Sequence, residues 1–271
     1  MQSLKDKIQQ LAKTLGKEAP EGPVKDYLTL RQEYEKQANK EIQQMQLEAK
    51  KQRIEQIHGR SDLNPAWTFA NLIEDTADVK EAVSIARSFI AAHGDPSWRR
   101  SGSHMMLFYG DYGRGKSHIA GAIAHELIDK YEISVLYRQL SSLLEMRYFS
   151  YDFNAKDDAG QRFREITQEL MTVDLLILDE VCVNESQLKK SAQGWLGTLL
   201  RQRYSQNKNC ILITNHDLTS LGQAVGPYCF ESIKEYDTYK VRFSGPSRRK
   251  TVEDDIPTVA KTGGYIPNQV R

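Results

Sequence analysis

The residues with the clearest chemistry run from Gly110 to Ser117, Gly-Asp-Tyr-Gly-Arg-Gly-Lys-Ser, and fill every fixed position of GxxxxGK[ST]. Gly110, Gly113 and Gly115 let the backbone curl so that successive N–H groups converge on phosphate oxygens, and a helix starting at Lys116 adds its positive end. The Lys116 ammonium can reach the β- and γ-phosphates, and the Ser117 hydroxyl can ligate Mg2+. Arg114 and His118 complete the set of loop side chains placed beside a bound nucleotide. About sixty residues further on, the run Val173-Asp-Leu-Leu-Ile-Leu-Asp179-Glu180 supplies the carboxylates such a loop needs. Its aliphatic residues suit a strand buried on both faces, and Asp179 then emerges at the carboxyl end, where ligands sit in open α/β sheets. Asp179 is placed to hold the metal, as a second ligand with Ser117, and Glu180 to polarise an attacking water. Glu180 alone could instead cap the following helix. Asn215 ends the next strand, where a polar residue can sense the γ-phosphate and orient the water, or simply close an Asx turn. The chemistry is ATP hydrolysis with Mg2+, with Lys116, Glu180 and Asn215 as the catalytic residues.

These residues need a sheet to position them, and the pattern predicts one. Strands are expected at His104–Tyr109, Ile133–Arg138, Val173–Asp179, Asn209–Thr214 and Thr238–Phe243. Helices are expected at Val79–His93, Lys116–Lys130, Gln139–Tyr151, Gln161–Met171 and Gln187–Tyr204. Such alternation means an α/β fold, a parallel sheet covered by helices on both faces. The first sixty residues have another texture, rich in Lys, Gln and Glu and without Trp, Phe or Cys. Ile8, Leu11 and Leu15 share a helical face, and from Val24 to His58 the residues Leu30, Tyr34, Ala38, Ile42, Met45 and Ala49 advance by three or four. A helix of that length reaches on the order of 50 Å, and so thin an apolar stripe cannot be buried in a globular core. It is either a solvated or self-pairing helix or an arm that docks on another protein. Gly59 and Pro65 end it. The residues after about 250 show no apolar periodicity.

Composition removes several classes. With 37 Lys+Arg against 36 Asp+Glu the chain is no general polyanion binder. Its longest purely aliphatic run, Leu175 to Leu178, is far short of a membrane span. The charged amphipathic start lacks a signal peptide's apolar core, so the expectation is a cytoplasmic protein without a membrane partner. Cys182, Cys210 and Cys229 have no CxxC spacing and read as small core residues. The six histidines show no HxxxH or HExxH spacing. Cations and rings do gather after the second strand, at Arg138, Arg147, Tyr148, Phe149, Tyr151, Phe153, Arg162 and Arg164. Rings can stack on unpaired bases and cations can neutralise phosphates, so Arg147, Tyr148 and Phe149 are candidate contacts for single-stranded DNA, unless they are core.

The phosphate loop and the Asp-Glu strand resemble those of the AAA+ ATPases. The wider pattern resembles the DnaC family of replicative helicase loaders: a charged helical N-terminus, His58-Gly-Arg60-Ser61-Asp-Leu-Asn-Pro65 with Phe69 soon after, then the ATPase core, a short final strand and no full helical lid. The related IstB transposition ATPases share much of that core. The resemblance implies a helicase-docking domain at 1–58, a linker at 59–75, an AAA+ domain at 76–250 and a tail at 251–271. It implies a hexameric replicative helicase as partner, with Leu30, Tyr34, Ile42 and Met45 as its contacts. ATP-dependent assembly of a homo-oligomer and loading of the helicase on single-stranded DNA are implied as well. Family members usually carry an Arg soon after the last core helix that reaches a neighbour's γ-phosphate. Here Ala224 to Lys234 contains none, which leaves Lys234 or Arg242 as a substitute and implies slow hydrolysis. The family's closing Ser-x-Arg points to Arg249 as a residue acting on the nucleotide in cis, with Arg248 as second choice. The alternatives are an IstB-like transposition regulator and a binding-only helicase adaptor or antagonist.

Overall fold

The alternating apolar runs build a five-stranded sheet in the order β2-β3-β4-β1-β5, with every neighbouring pair parallel. The strands are β1 (His104–Gly110), β2 (Val135–Gln139), β3 (Leu175–Asp179), β4 (Asn209–Ile213) and β5 (Asp237–Phe243). They come from a computed structural model, which describes residues 4–16, 18, 27–151, 159–182 and 187–248. The contacts of the chain divide it into two units, residues 1–53 and 54–271.

In the second unit β1 to β4 alternate their side chains between two cores, while β5 buries one face only. Met105, Leu107, Leu136, Leu176, Leu178 and Leu212 face one side, where they meet α7 (Ala159–Thr172), α8 (Lys190–Ser205), α9 (Leu218–Val225) and α10 (Pro227–Lys234). Met106, Phe108, Tyr137, Ile177, Ile211 and Ile213 face the other, against α3 (Ala77–Ala92) and α5 (Lys116–Tyr131). Each such side chain removed from water contributes roughly 1.5–3 kcal/mol, so the register is strongly specified. One charged side chain is fully buried. The Arg203 guanidinium donates to the carbonyls of Leu170 (2.6 Å), Val173 (3.0 Å) and Asn209 (2.6 Å), which ties the starts of β3 and β4 together.

The element ends differ from the sequence expectation by a few residues, and three helices went unanticipated. These are α4 (Pro96–Arg100), α9 and α10, none longer than eight residues, too short for a period to show. Local chemistry makes them. Asp95 caps α4 by accepting from the Ser97 N–H, Asp217 caps α9 by accepting from Thr219 and Ser220, and Pro227 opens α10 with a preset φ. The remaining helix of this unit is α6 (Leu140–Phe149).

The outer edge of β2 is covered by the chain that follows the long N-terminal helix α2 (Tyr27–Gly59). The Asp62 N–H donates to the Tyr137 carbonyl (2.9 Å), the Tyr137 N–H donates to the Ser61 hydroxyl (2.9 Å), and the Arg138 guanidinium donates to the Arg60 carbonyl (2.8 Å). Ile54 and Ile57, at the end of α2, are buried in the second unit.

The first unit contains α1 (Leu4–Thr14) and the rest of α2. Leu30, Tyr34, Ile42 and Met45 are all exposed, Tyr34 and Met45 by about 70%. Arg31 and Glu35 pair across one turn at 2.8 Å. The predicted start of α2 at 24–26 lies outside the described residues, as does the chain from 249 on.

Candidate nucleotide-binding site

The strand order puts β4 between β1 and β3, so the phosphate loop after β1 and the carboxylates after β3 flank the end of β4. The loop is shaped by backbone that only glycine adopts easily: φ is +124° at Gly110, +73° at Gly113 and +89° at Gly115. At Gly115, the residue before α5, the turn delivers Lys116 and Ser117 as the first helical residues. The buried Lys116 ammonium donates to the carbonyls of Gly110 and Asp111, both at 2.7 Å. Arg114 pairs with Asp111.

A cleft of about 600 Å3 lies in front of the loop, and Lys116, Ser117, Asp179, Glu180 and Asn215 all line it. Gly113, Arg114, Gly115 and His118 border it too. Asp179 is buried at the end of β3 and its carboxylate is held twice: Oδ1 accepts from the Glu180 N–H at 2.7 Å, and Oδ2 accepts from the Tyr137 hydroxyl. Glu180 sits at φ +56°, a left-handed conformation uncommon for a residue with a side chain and typical of functional turns. That turn is clamped to β4. Val181 N–H donates to the Ile213 carbonyl (2.9 Å), Thr214 Oγ1 to the Val181 carbonyl (2.9 Å), and His216 Nε2 to the Cys182 carbonyl (2.7 Å). Glu180 and Asn215 therefore keep a constant relationship.

The cleft's other wall comes from residues 67–73. Trp67, Asn71, Leu72 and Ile73 line it, and Trp67 lies so close to α5 that a Cβ at Gly121 would come within 2.7 Å of the Trp67 Cβ. His118 is occupied by this wall, its Nε2 donating to the Thr68 carbonyl at 2.9 Å. Phe69 instead lies under the Arg87 guanidinium, 5.1 Å from its ring centre. The chain after β5 returns to the loop. Arg248 N–H donates to the Gly113 carbonyl at 2.8 Å, while its guanidinium lines the cleft and pairs with Asp75. Asp78 anchors this return by accepting from the N–H groups of Ser244 (2.9 Å) and Gly245 (2.8 Å). Burial raises its pKa, but hydrogen bonds from Thr76, Gly245, Ser244 and Val79 outweigh that and hold it at about 2. Arg249 lies outside the described residues.

The two cations considered as replacements for the missing Arg are placed differently. Lys234, on α10, pairs with Glu231 (2.7 Å) and covers the Phe230 ring, away from the cleft lining. Arg242 is exposed on β5 and lines a second, polar hollow with Arg114, Asn215 and Asp217. The basic-aromatic region is on the surface: Tyr148, Phe149 and Tyr151 are exposed, and Arg147 lies over the Tyr151 ring at 5.3 Å. Arg147 and Tyr148 line a cavity of about 570 Å3 that is bounded on its other side by Glu180 and Cys182. Phe153 lies outside the described residues. All three cysteines are buried and none forms a disulfide. Burial, with Cys182 nearby, pushes the Cys229 thiol up to about 12.

Sequence reasoning missed Tyr137. An aromatic residue inside a strand reads as core, and here the ring is core while the hydroxyl reaches Asp179. Burial first, then the negative charge of Asp179, pushes that hydroxyl above its ordinary range, so it stays a proton donor.

Comparison with known proteins agrees with this geometry. The Escherichia coli K12 protein YdaV is 24% identical over 228 residues, 83% of this chain and 85% of its own. The replicative helicase loader DnaC of the same strain is 22% identical over 212 residues, 77% of this chain and 80% of its own. Among solved structures, that of DnaI superposes with a TM-score of 0.54 at 21% identity, covering 67% of this chain and 90% of that one. This structural likeness concerns the fold, a parallel α/β sheet. The family model for IstB-like ATP binding proteins matches residues 33–230, and the chain belongs to that family of ATP-binding proteins.

Proposed function

We propose that this protein is an ATP-dependent loader of a replicative DNA helicase. The observation that carries the ATPase part is the cleft on which Lys116, Ser117, Asp179, Glu180 and Asn215 converge. The site suits ATP with Mg2+. A hydroxyl and a carboxylate are hard oxygen ligands and both line the cleft, so Ser117 and Asp179 would hold the ion. When bound, the ion neutralises charge on the β- and γ-phosphates. The chain's own residues do the rest: loop N–H groups cradle the phosphates, and Lys116 leaves its carbonyl partners for a phosphate oxygen. Glu180 takes the proton of the attacking water, and Asn215 orients that water. Arg248 replaces Arg249 as our choice for the cation acting in cis, because its guanidinium lines the cleft. Arg242 is favoured over Lys234 as the residue offered to a neighbouring subunit, since it stands free of the Glu231 pairing that engages Lys234.

The loader part is supported by the likeness to DnaC and by the exposed stripe of Leu30, Tyr34, Ile42 and Met45. Residues 1–58 then form the helicase-docking domain, 59–75 a linker, 76–250 the ATPase domain and 251–271 a tail. A helix presenting such residues to solvent matches helix-in-groove recognition of a partner. Arg147, Tyr148 and Phe149 are our candidates for gripping single-stranded DNA. The cavity that Arg147 and Tyr148 line is also lined by Glu180, which would put a base bound there beside the residue that activates water. In the cytoplasm, ATP binding would assemble a homo-oligomer on the helicase and the strand, and hydrolysis would release it.

The family match itself favours a second reading, a transposition regulator that assembles on duplex DNA. One experiment separates them. The purified chain is mixed with the host's hexameric replicative helicase, with and without ATP, and resolved by size. A stable complex that is lost with Tyr34→Ala and Ile42→Ala, while nucleotide binding persists, supports the loader. No complex, together with ATP-dependent assembly on duplex DNA, replaces it with the transposition reading.

A further inference from the structure

The Asp179 carboxylate is fixed by two protein donors on opposite oxygens, and one of them comes from a neighbouring strand. Tyr137 sits on β2 beside Ile177 of β3, and Asp179 lies two residues beyond Ile177, hence on the same face of the sheet. The ring is long enough to span that step, so its hydroxyl meets Asp179 Oδ2 from the side. Ser117, at the start of α5, lines the same cleft. One buried O–H group thus holds one of the two residues that the cleft offers to a metal ion.

Tyr137 is itself immobilised. Its N–H and carbonyl are both engaged by the linker, through Ser61 and Asp62 at 2.9 Å each, and its ring packs on Trp67 with centroids 5.6 Å apart. A phenylalanine would fill the same apolar space. A hydroxyl in a core is costly unless it is paired, so its pairing with Asp179 calls for an explanation beyond packing.

We propose that Tyr137 is a positioning residue for the metal-binding carboxylate: its hydroxyl fixes the Asp179 side chain in the orientation that a magnesium-nucleotide complex requires. The inference rests on the nucleotide reading of the cleft. Groups that orient a ligating carboxylate contribute about 10–100-fold to metal affinity. Without the hydroxyl, Asp179 keeps only the Glu180 N–H bond and can rotate about its side-chain torsions.

The test is a titration of the full chain with a fluorescent N-methylanthraniloyl ATP analogue, in saturating Mg2+ and in EDTA, for the wild type and Tyr137→Phe. The wild type is expected to bind more tightly with Mg2+. In Tyr137→Phe the Mg2+ affinity falls about 10–100-fold while the EDTA affinity stays within about twofold. In an Asp179→Asn background, Tyr137→Phe has no further effect on the Mg2+ dependence, because the hydroxyl acts through that carboxylate. An unchanged Mg2+ affinity, or additive effects in the double variant, overturns the proposal. Equal weakening in both conditions, by misfolding or otherwise, assigns the hydroxyl to the fold and overturns it too. A wild type that binds nucleotide equally well in Mg2+ and EDTA removes both this proposal and the metal reading of the cleft, which distinguishes the two failures.

Discussion

Gly110 lies against Phe243 so closely that a Cβ on Gly110 would stand 2.1 Å from the Phe243 carbonyl oxygen. The two residues are partners in the β1–β5 ladder, where the sheet passes into the phosphate loop.

Gly110→Ala is therefore expected to push β5 away and to strain a backbone held at φ +124°. The strain alone costs on the order of 1–3 kcal/mol. Thermal unfolding should show a lower Tm, and nucleotide affinity should fall because β5 leads directly to Arg248. A variant with unchanged Tm and affinity contradicts the close approach.

Glu180→Gln separates binding from hydrolysis. The turn that carries Glu180 is held through backbone groups at Val181 and Cys182, so the neutral side chain leaves the cleft intact. Turnover is expected to fall about 10²–10⁴-fold, the usual contribution of a general base, with ATP affinity retained. Comparable loss in both would place Glu180 in the cleft's structure instead.

His93 predicts a pH dependence of stability. It is buried, its Nδ1 bonds the Phe89 carbonyl (2.8 Å) and its Nε2 faces the Asn209 amide (3.3 Å). Burial is the main reason its pKa lies below the ordinary value; the Phe89 carbonyl opposes the shift, and the nearby His104 and Arg99 reinforce it. The folded state thus binds the proton less well than the unfolded one. Stability from this group is complete at neutral pH and is lost as the pH falls below about 6.5, by up to roughly 1.4 kcal/mol per pH unit. Denaturant unfolding of wild type and His93→Gln at pH 7.5 and 5.5 should show a smaller loss in the variant. Parallel losses would refute the assignment.

The contrast between Lys116 and Tyr137 shows how far the sequence could be read. Lys116 belongs to a local pattern whose glycines and following helix are contiguous in the chain, so its place was legible without a structure. The same holds for the strand that ends at Asp179, because a wholly aliphatic run can only be a buried strand in an alternating α/β pattern. Tyr137 is 42 residues from its partner Asp179, and nothing local distinguishes a ring that fills a core from one that also donates a hydrogen bond. The contact of Arg248 with the Gly113 carbonyl was equally hidden, since it depends on how the chain bends after β5. The exposure of Tyr148 and Phe149 was left open by a helix whose apolar residues occur on more than one face.

Residues 60–62 cover the open side of β2 with one backbone–backbone hydrogen bond and two that use side chains, the Ser61 hydroxyl and the Arg138 guanidinium. An uncovered β2 would present a row of unpaired N–H and carbonyl groups, a template for adding a foreign strand. This segment is therefore also a guard against aggregation. A protein shortened to begin after residue 62 would keep every residue of the nucleotide cleft named above from Trp67 onward, and still be prone to stack through its own sheet.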